Sequence, residues 1–105
     1  MAESNMPSKG DVLDSLRKVI DPEIGFNIVE VGLVYRIDVT EEGVEVDFTL
    51  TSPGCPLADT IYQDITTVIR EDHEIDAVHA NLVWSPPWNP DFMSEDVKLA
   101  LGFPI

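Results

Sequence analysis

Apolar residues recur at two periods along this chain, and the switches between them mark its elements. From Asp11, the residues Val12, Leu13, Leu16, Val19 and Ile20 fall on one face at helical spacing. Pro22 disfavours a helical conformation at Asp21 and is expected to stop that helix. After Gly25 the period drops to two: Val29, Val31, Leu33, Tyr35, Ile37 and Val39 alternate with residues that include Glu30, Arg36 and Asp38, which predicts a strand. The turn Thr40-Glu41-Glu42-Gly43 leads to a second alternation, Val44, Val46, Phe48 and Leu50 against Glu45, Asp47 and Thr49. Two strands joined this closely read as a hairpin.

Past Thr51-Ser52-Pro53-Gly54-Cys55-Pro56 the helical period returns in Leu57, Ile61, Ile65, Val68 and Ile69, and this helix is expected to run to Arg70. A third strand follows, with Val78, Ala80, Leu82 and Trp84 on the inner face and His79 and Asn81 outward. Ser85-Pro86-Pro87 ends it. The segment Trp84 to Phe92 holds three prolines and two tryptophans and is stiff and irregular. Ser94 as N-cap, Glu95 and Asp96 in the first turn, and Gly102 just past the end outline a last short helix.

The order helix, strand, strand, helix, strand, helix predicts an α+β fold, a two-layer sandwich with helices on one face of a three-stranded mixed sheet. A right-handed crossover makes strands two and three parallel, with room for strand one between them. Residues 1–10 have no period and read as a flexible N-terminal segment, leaving 11–105 as one domain.

Charge and composition narrow the function. Twenty Asp and Glu against six Lys and Arg give a formal net charge of −14, which repels phosphate backbones and anionic lipid, so nucleic-acid and membrane partners are not expected. The acidity fits a well-solvated surface or high salt, and secondarily docking to basic partners. One Cys in 105 residues permits no internal disulfide, and residues 1–11 lack the apolar core of a signal peptide, so a reducing cytoplasm is the expected setting.

That one cysteine is the best candidate for chemistry. Cys55-Pro56 reads as N-cap and first position of the second helix, where unpaired amides and the helix dipole favour a thiolate, at once a nucleophile and a soft-metal ligand. Gly54 permits close backbone approach, and Thr51 and Ser52 add hydroxyl donors to the same supporting pocket. The alternative is a Cys that only fills space, which the Gly-Cys-Pro context at a strand-to-helix junction disfavours. Asp21-Pro22-Glu23 sets two carboxylates in a turn and can be structural or functional. His73 and His79 read as surface residues without partners at metal-ligand spacing. Trp84, Trp88 and Met93 belong to an apolar, proline-stiffened loop that either caps the core or receives a partner.

Four stretches of this sequence resemble one family. Asp21-Pro22-Glu23, Asn27 to Tyr35, Thr51 to Pro56, and the closing Val83-Trp84-Ser85-Pro86-Pro87-Trp88 with Met93-Ser94 and Leu99 to Gly102 are similar to SufT-like and PaaD-like metal–sulfur cluster assembly proteins. The resemblance implies an iron–sulfur cluster assembly domain and a carrier or targeting factor in iron–sulfur protein maturation, not an enzyme. Its partners would be client apoproteins and the assembly machinery. It places the family's cysteine at Cys55, its acidic turn at Asp21 and Glu23, and its preceding hydroxyls at Thr51 and Ser52. A cluster takes four ligands and this chain offers one sulfur, so the implied cargo is an iron–sulfur cluster held transiently and shared with a second chain, as in a homodimer, or with a client; no stable intrachain metal site is expected. Two other readings stay open: an adaptor docking clients through the acidic surface and the Trp/Pro loop, and a thiol enzyme in which Cys55 attacks an electrophile.

Overall fold

The computed structural model describes residues 7–51 and 58–102. Within them the chain runs α1 (Lys9–Leu16), β1 (Ile20–Asp21), β2 (Phe26–Asn27), α2 (Ile28–Val31), β3 (Val34–Thr40), β4 (Gly43–Phe48), α3 (Ala58–His73), β5 (Val78–Leu82), a 3-10 turn (Pro90–Phe92) and α4 (Glu95–Leu101). This is the α+β class that the periodicity predicts, built on a three-stranded mixed sheet.

The first helix begins earlier and ends sooner than its apolar spacing suggests. Ser8 accepts from the Asp11 amide while the Asp11 carboxylate accepts from the Ser8 amide, a reciprocal cap that starts the helix at Lys9, inside the segment expected to be flexible. At the other end the chain leaves the helix at Arg17, so Pro22 is not what stops it. Val19 is buried but Ile20 is 47 % exposed, because the chain there is extended and pairs with Phe26–Asn27 as a small antiparallel ribbon.

The expected first strand also divides. Residues 28–31 form the single turn α2, capped by Asn27, whose Oδ1 accepts from the Glu30 amide, and closed by Gly32 at φ 86°. Ile28 and Val31, three apart, are both buried. Alternation over so short a stretch fits a turn of helix as well as a strand, and the cap decides between them.

In the main sheet β4 is central. It pairs antiparallel with β3 and parallel with β5, giving the order β3-β4-β5. The parallel pair agrees with the sequence reading, but the first strand lies at an edge and not between the other two. The physical reason lies in burial: Val44, Val46 and Phe48 on β4 are fully buried, whereas Ile37 and Val39 on β3 are only half-buried. The strand with the most complete apolar face takes the middle of the sheet.

Helices α1 and α3 pack against each other and against β3 and β5 respectively. Ile61, Ile65 and Ile69 supply the buried stripe of α3, and with Val12, Leu16 and the β4 residues they make one core. The opposite face of the sheet is polar and open. Arg36 reaches Asp47 at 2.9 Å, Glu45 at 3.2 Å and Asp38 at 3.5 Å, and Asn81 donates to Glu45 and Asp47.

Candidate functional site

Two elements, β4 ending at Phe48 and α3 starting at Ala58, bracket the stretch that carries the cysteine. Ser52, Gly54 and Cys55 lie outside the described residues, as does the proposed N-cap geometry of Cys55-Pro56. Thr51 is described and half-buried. With Leu50, Trp84, Pro87 and Trp88 it lines an apolar hollow of about 290 Å³. Both tryptophans thus share a hollow with Thr51, the last described residue before the cysteine stretch.

Those tryptophans play different parts. Trp88 is half-buried against the core, and its Nε1–H donates to the Val31 carbonyl at 2.9 Å. It caps the core and ties the closing segment to α2. Trp84 is 45 % exposed and does not continue a buried face, contrary to the expectation from alternation. It lies past Leu82, the last residue of edge strand β5 in register with β4, so one flank of the chain there has no neighbouring strand. Met93 is 5 % exposed and belongs to the core, which leaves almost none of its side chain for a partner to touch.

The closing segment is held against the Asn27 to Tyr35 stretch at several points. Ser94 Oγ donates to Glu30 Oε1 at 2.8 Å, and the Ser94 amide donates to the Glu30 carbonyl. Arg17 Nη1 donates to the other Glu30 oxygen at 3.1 Å. Tyr35 donates its phenol to the Pro86 carbonyl at 2.8 Å and meets the Phe92 ring edge-on, centroids 6.0 Å apart. Burial of that phenol pushes the Tyr35 pKa up. Glu30 is therefore a hub joining α1, α2 and the cap of α4. Alternation alone makes it an outward strand residue; the signal that could have found it is Asn27 three positions before, the spacing of a helix cap.

Asp21 is buried, and its carboxylate organises the turn that follows. Oδ1 accepts from the Glu23 amide at 2.8 Å and the Ile24 amide at 3.4 Å, while its carbonyl accepts from Gly25 at 2.7 Å. Glu23 stands exposed on the same turn. This acidic turn connects β1 to β2 and so leads directly into α2.

A further polar group near the cysteine stretch escaped the sequence reading. Thr49, completely buried two residues before Thr51, donates its amide to the Leu33 carbonyl, and its Oγ1 has no hydrogen-bond partner among the described residues. Of the histidines, His79 is exposed as expected. His73 is drawn in: its Nε2 lies 2.8 Å from Ser15 Oγ across the α1–α3 contact, beside a Lys18–Asp72 pair at 2.8 Å. Among the described residues no three His, Cys, Asp or Glu side chains are grouped to hold a metal ion.

The described residues form a small α+β domain in which the one cysteine of the sequence falls between the central strand and the main helix. Residues 9–81 match the family model described as iron–sulfur cluster assembly protein, and the chain belongs to that family. It is 53 % identical over 85 residues to the Fe-S protein maturation auxiliary factor SufT of Staphylococcus aureus, covering 80 % of this chain and 97 % of that one. It is 41 % identical over 95 residues to the Fe-S protein maturation auxiliary factor YitW of Bacillus subtilis, covering 90 % and 93 %. Among solved structures, a domain of unknown function DUF59 from Bacillus anthracis superposes with a TM-score of 0.86 at 38 % identity, covering 91 % of this chain and 92 % of that one.

Proposed function

We propose that this protein serves the maturation of iron–sulfur proteins as a carrier or targeting factor, with Cys55 as the protein's ligand to a cluster in transit. Family membership carries the reading: the matched relatives named as maturation factors are covered almost end to end. The cluster is cargo. One thiolate supplies one of the four ligands that a cluster takes, so the remaining positions fall to small thiols, a second copy or the client. An under-ligated cluster exchanges readily, and exchange is what delivery requires.

The surroundings support this role. Thr51, Ser52 and Gly54 flank the sulfur in sequence and can offer hydroxyl and amide donors to bridging sulfides, and hydrogen bonds of that kind tune a cluster's stability. Trp84 and Trp88 line a hollow with Thr51, which precedes Cys55 closely in sequence, and apolar walls of this kind limit water near a labile cluster. Asp21 and Glu23 set the turn feeding α2, the element on which Trp88 is anchored.

The test is anaerobic maturation of a [4Fe–4S]-dependent apoprotein whose regained activity reports cluster insertion. The parent accelerates activation when supplied with iron, sulfide and thiol. Cys55→Ala loses most of that acceleration while keeping its helical circular dichroism. Equal activation by the two proteins would remove Cys55 from the mechanism.

A further inference from the structure

The open face of the sheet carries a second recognition feature, separated from the aromatic hollow by the segment 83–88. Trp84, Pro87 and Trp88 line the hollow on one side of that segment, whereas Val83, Ser85 and Pro86 line a groove of about 650 Å³ on the other. The groove has apolar walls, Val29, Val34, Tyr35, Pro86 and Phe92, with Arg36 and Asp47 also lining it. Phe92 is 39 % exposed there and held edge-on against Tyr35, a rigid aromatic wall that loses little entropy on contact.

Further along the same strands lies a second hollow of about 350 Å³, lined by Asp38, Thr40, Glu42, Glu45 and His79 among others. The sheet face joining the two sets three carboxylates, Asp38, Glu45 and Asp47, against the single guanidinium of Arg36. Arg36 is already shared among all three, so negative charge remains in excess. The overall charge of −14 has the same sign and disfavours a second copy as the occupant.

From this geometry we infer that the open face is a docking surface for an extended, cationic segment of a partner protein. One apolar or aromatic side chain sits in the Phe92 groove, and arginine or lysine side chains reach the Asp38–Glu45 hollow. The spacing follows from the sheet. The groove is lined from Val34 to Arg36 and the hollow from Asp38 to Thr40, about four residues apart, or roughly 13 Å at the strand rise of about 3.3 Å per residue. An extended segment with its anchor about four residues from its first basic residue spans both. Docked there, the partner lies across the 83–88 segment from the hollow that Thr51 lines.

Fluorescence anisotropy on cluster-free protein tests this. The probe is an end-capped, labelled seven-residue peptide with phenylalanine at one end, arginines four and six positions along, and glycine and serine elsewhere. Controls exchange both arginines for glutamate, or phenylalanine for glycine. The first peptide binds best, and its affinity falls at least about fivefold in Phe92→Ala and in the double variant Asp38→Asn, Glu45→Gln, the size of effect expected for an interface anchor or a charge pair. The double variant changes only exposed side chains and keeps the result readable should Phe92→Ala unfold.

Equal affinity for all three peptides, or for parent and double variant, would overturn the inference. So would a dimer by native mass that becomes monomeric in Phe92→Ala and binds no peptide, which would assign the groove to a second copy. Because no cluster is present, a failed titration leaves the role of Cys55 standing, and a failed maturation assay leaves this surface standing.

Discussion

Gly32 shows how much a single position decides. Its φ of 86° closes α2 in the left-handed region, and a Cβ placed there would overlap the Phe92 carbonyl oxygen. The closing segment can lie against α2 only because this residue has no side chain. Gly32→Ala combines backbone strain with that overlap and is expected to cost about 2 kcal/mol or more, seen as a lower urea midpoint with an unchanged slope. A loss under about 0.5 kcal/mol would mean that the closing segment is not packed on Gly32 as described. The same scale explains what the sequence concealed. In the sequence Asp21 is one of two turn carboxylates, structural or functional, and Glu30 an outward strand position; in the fold the first holds two backbone amides and the second ties three elements together. Both depend on partners distant in sequence or on turn geometry, which periodicity does not carry.

At the scale of elements, the apolar periods located α3, the β3–β4 hairpin and β5 closely, most surely α3 and β4, which bury regular apolar stripes. They failed where an element is two to four residues long. Residues 20–21 and 26–31 are governed by pairing and by the Asn27 cap, not by a repeating face. The inner face predicted for the third strand holds at Val78 and partly at Ala80; Leu82 is 37 % exposed although it pairs with Phe48, and Trp84 lies exposed past the last paired residue of this edge strand.

The polar sheet face also gives a pH dependence. The Arg36 guanidinium holds the Asp47 carboxyl below its usual range, and Asn81, followed by Arg36, does the same for Glu45. Carboxylates lowered in the folded state stabilise it fully above their ordinary values of 3.8 and 4.5, and that contribution is lost as pH falls through the lowered ones. Arg36→Met should therefore flatten the decline in stability measured by urea titration between pH 5 and about pH 2.5. An identical decline in parent and variant would show that the network does not couple to folding. These groups are partly exposed, so the difference will be small and will shrink in salt.

For the molecule as a whole, one core joins the helices to the sheet. A single core under the helices fixes β4 and α3, the two ends of the cysteine stretch, while the 83–88 segment is pinned to β3 and α2 by Tyr35 and Trp88. Among the described residues no helix is long and apolar enough to cross a membrane. Cys55 stands out by its sequence context alone, and its role is tested by function, not by packing. The most direct measurement is anaerobic native mass spectrometry of the protein mixed with a [4Fe–4S] donor and thiol. Cluster-bearing mass on the parent, lost in Cys55→Ala, is the predicted result; equal cluster occupancy on both proteins would contradict a cluster held through that sulfur.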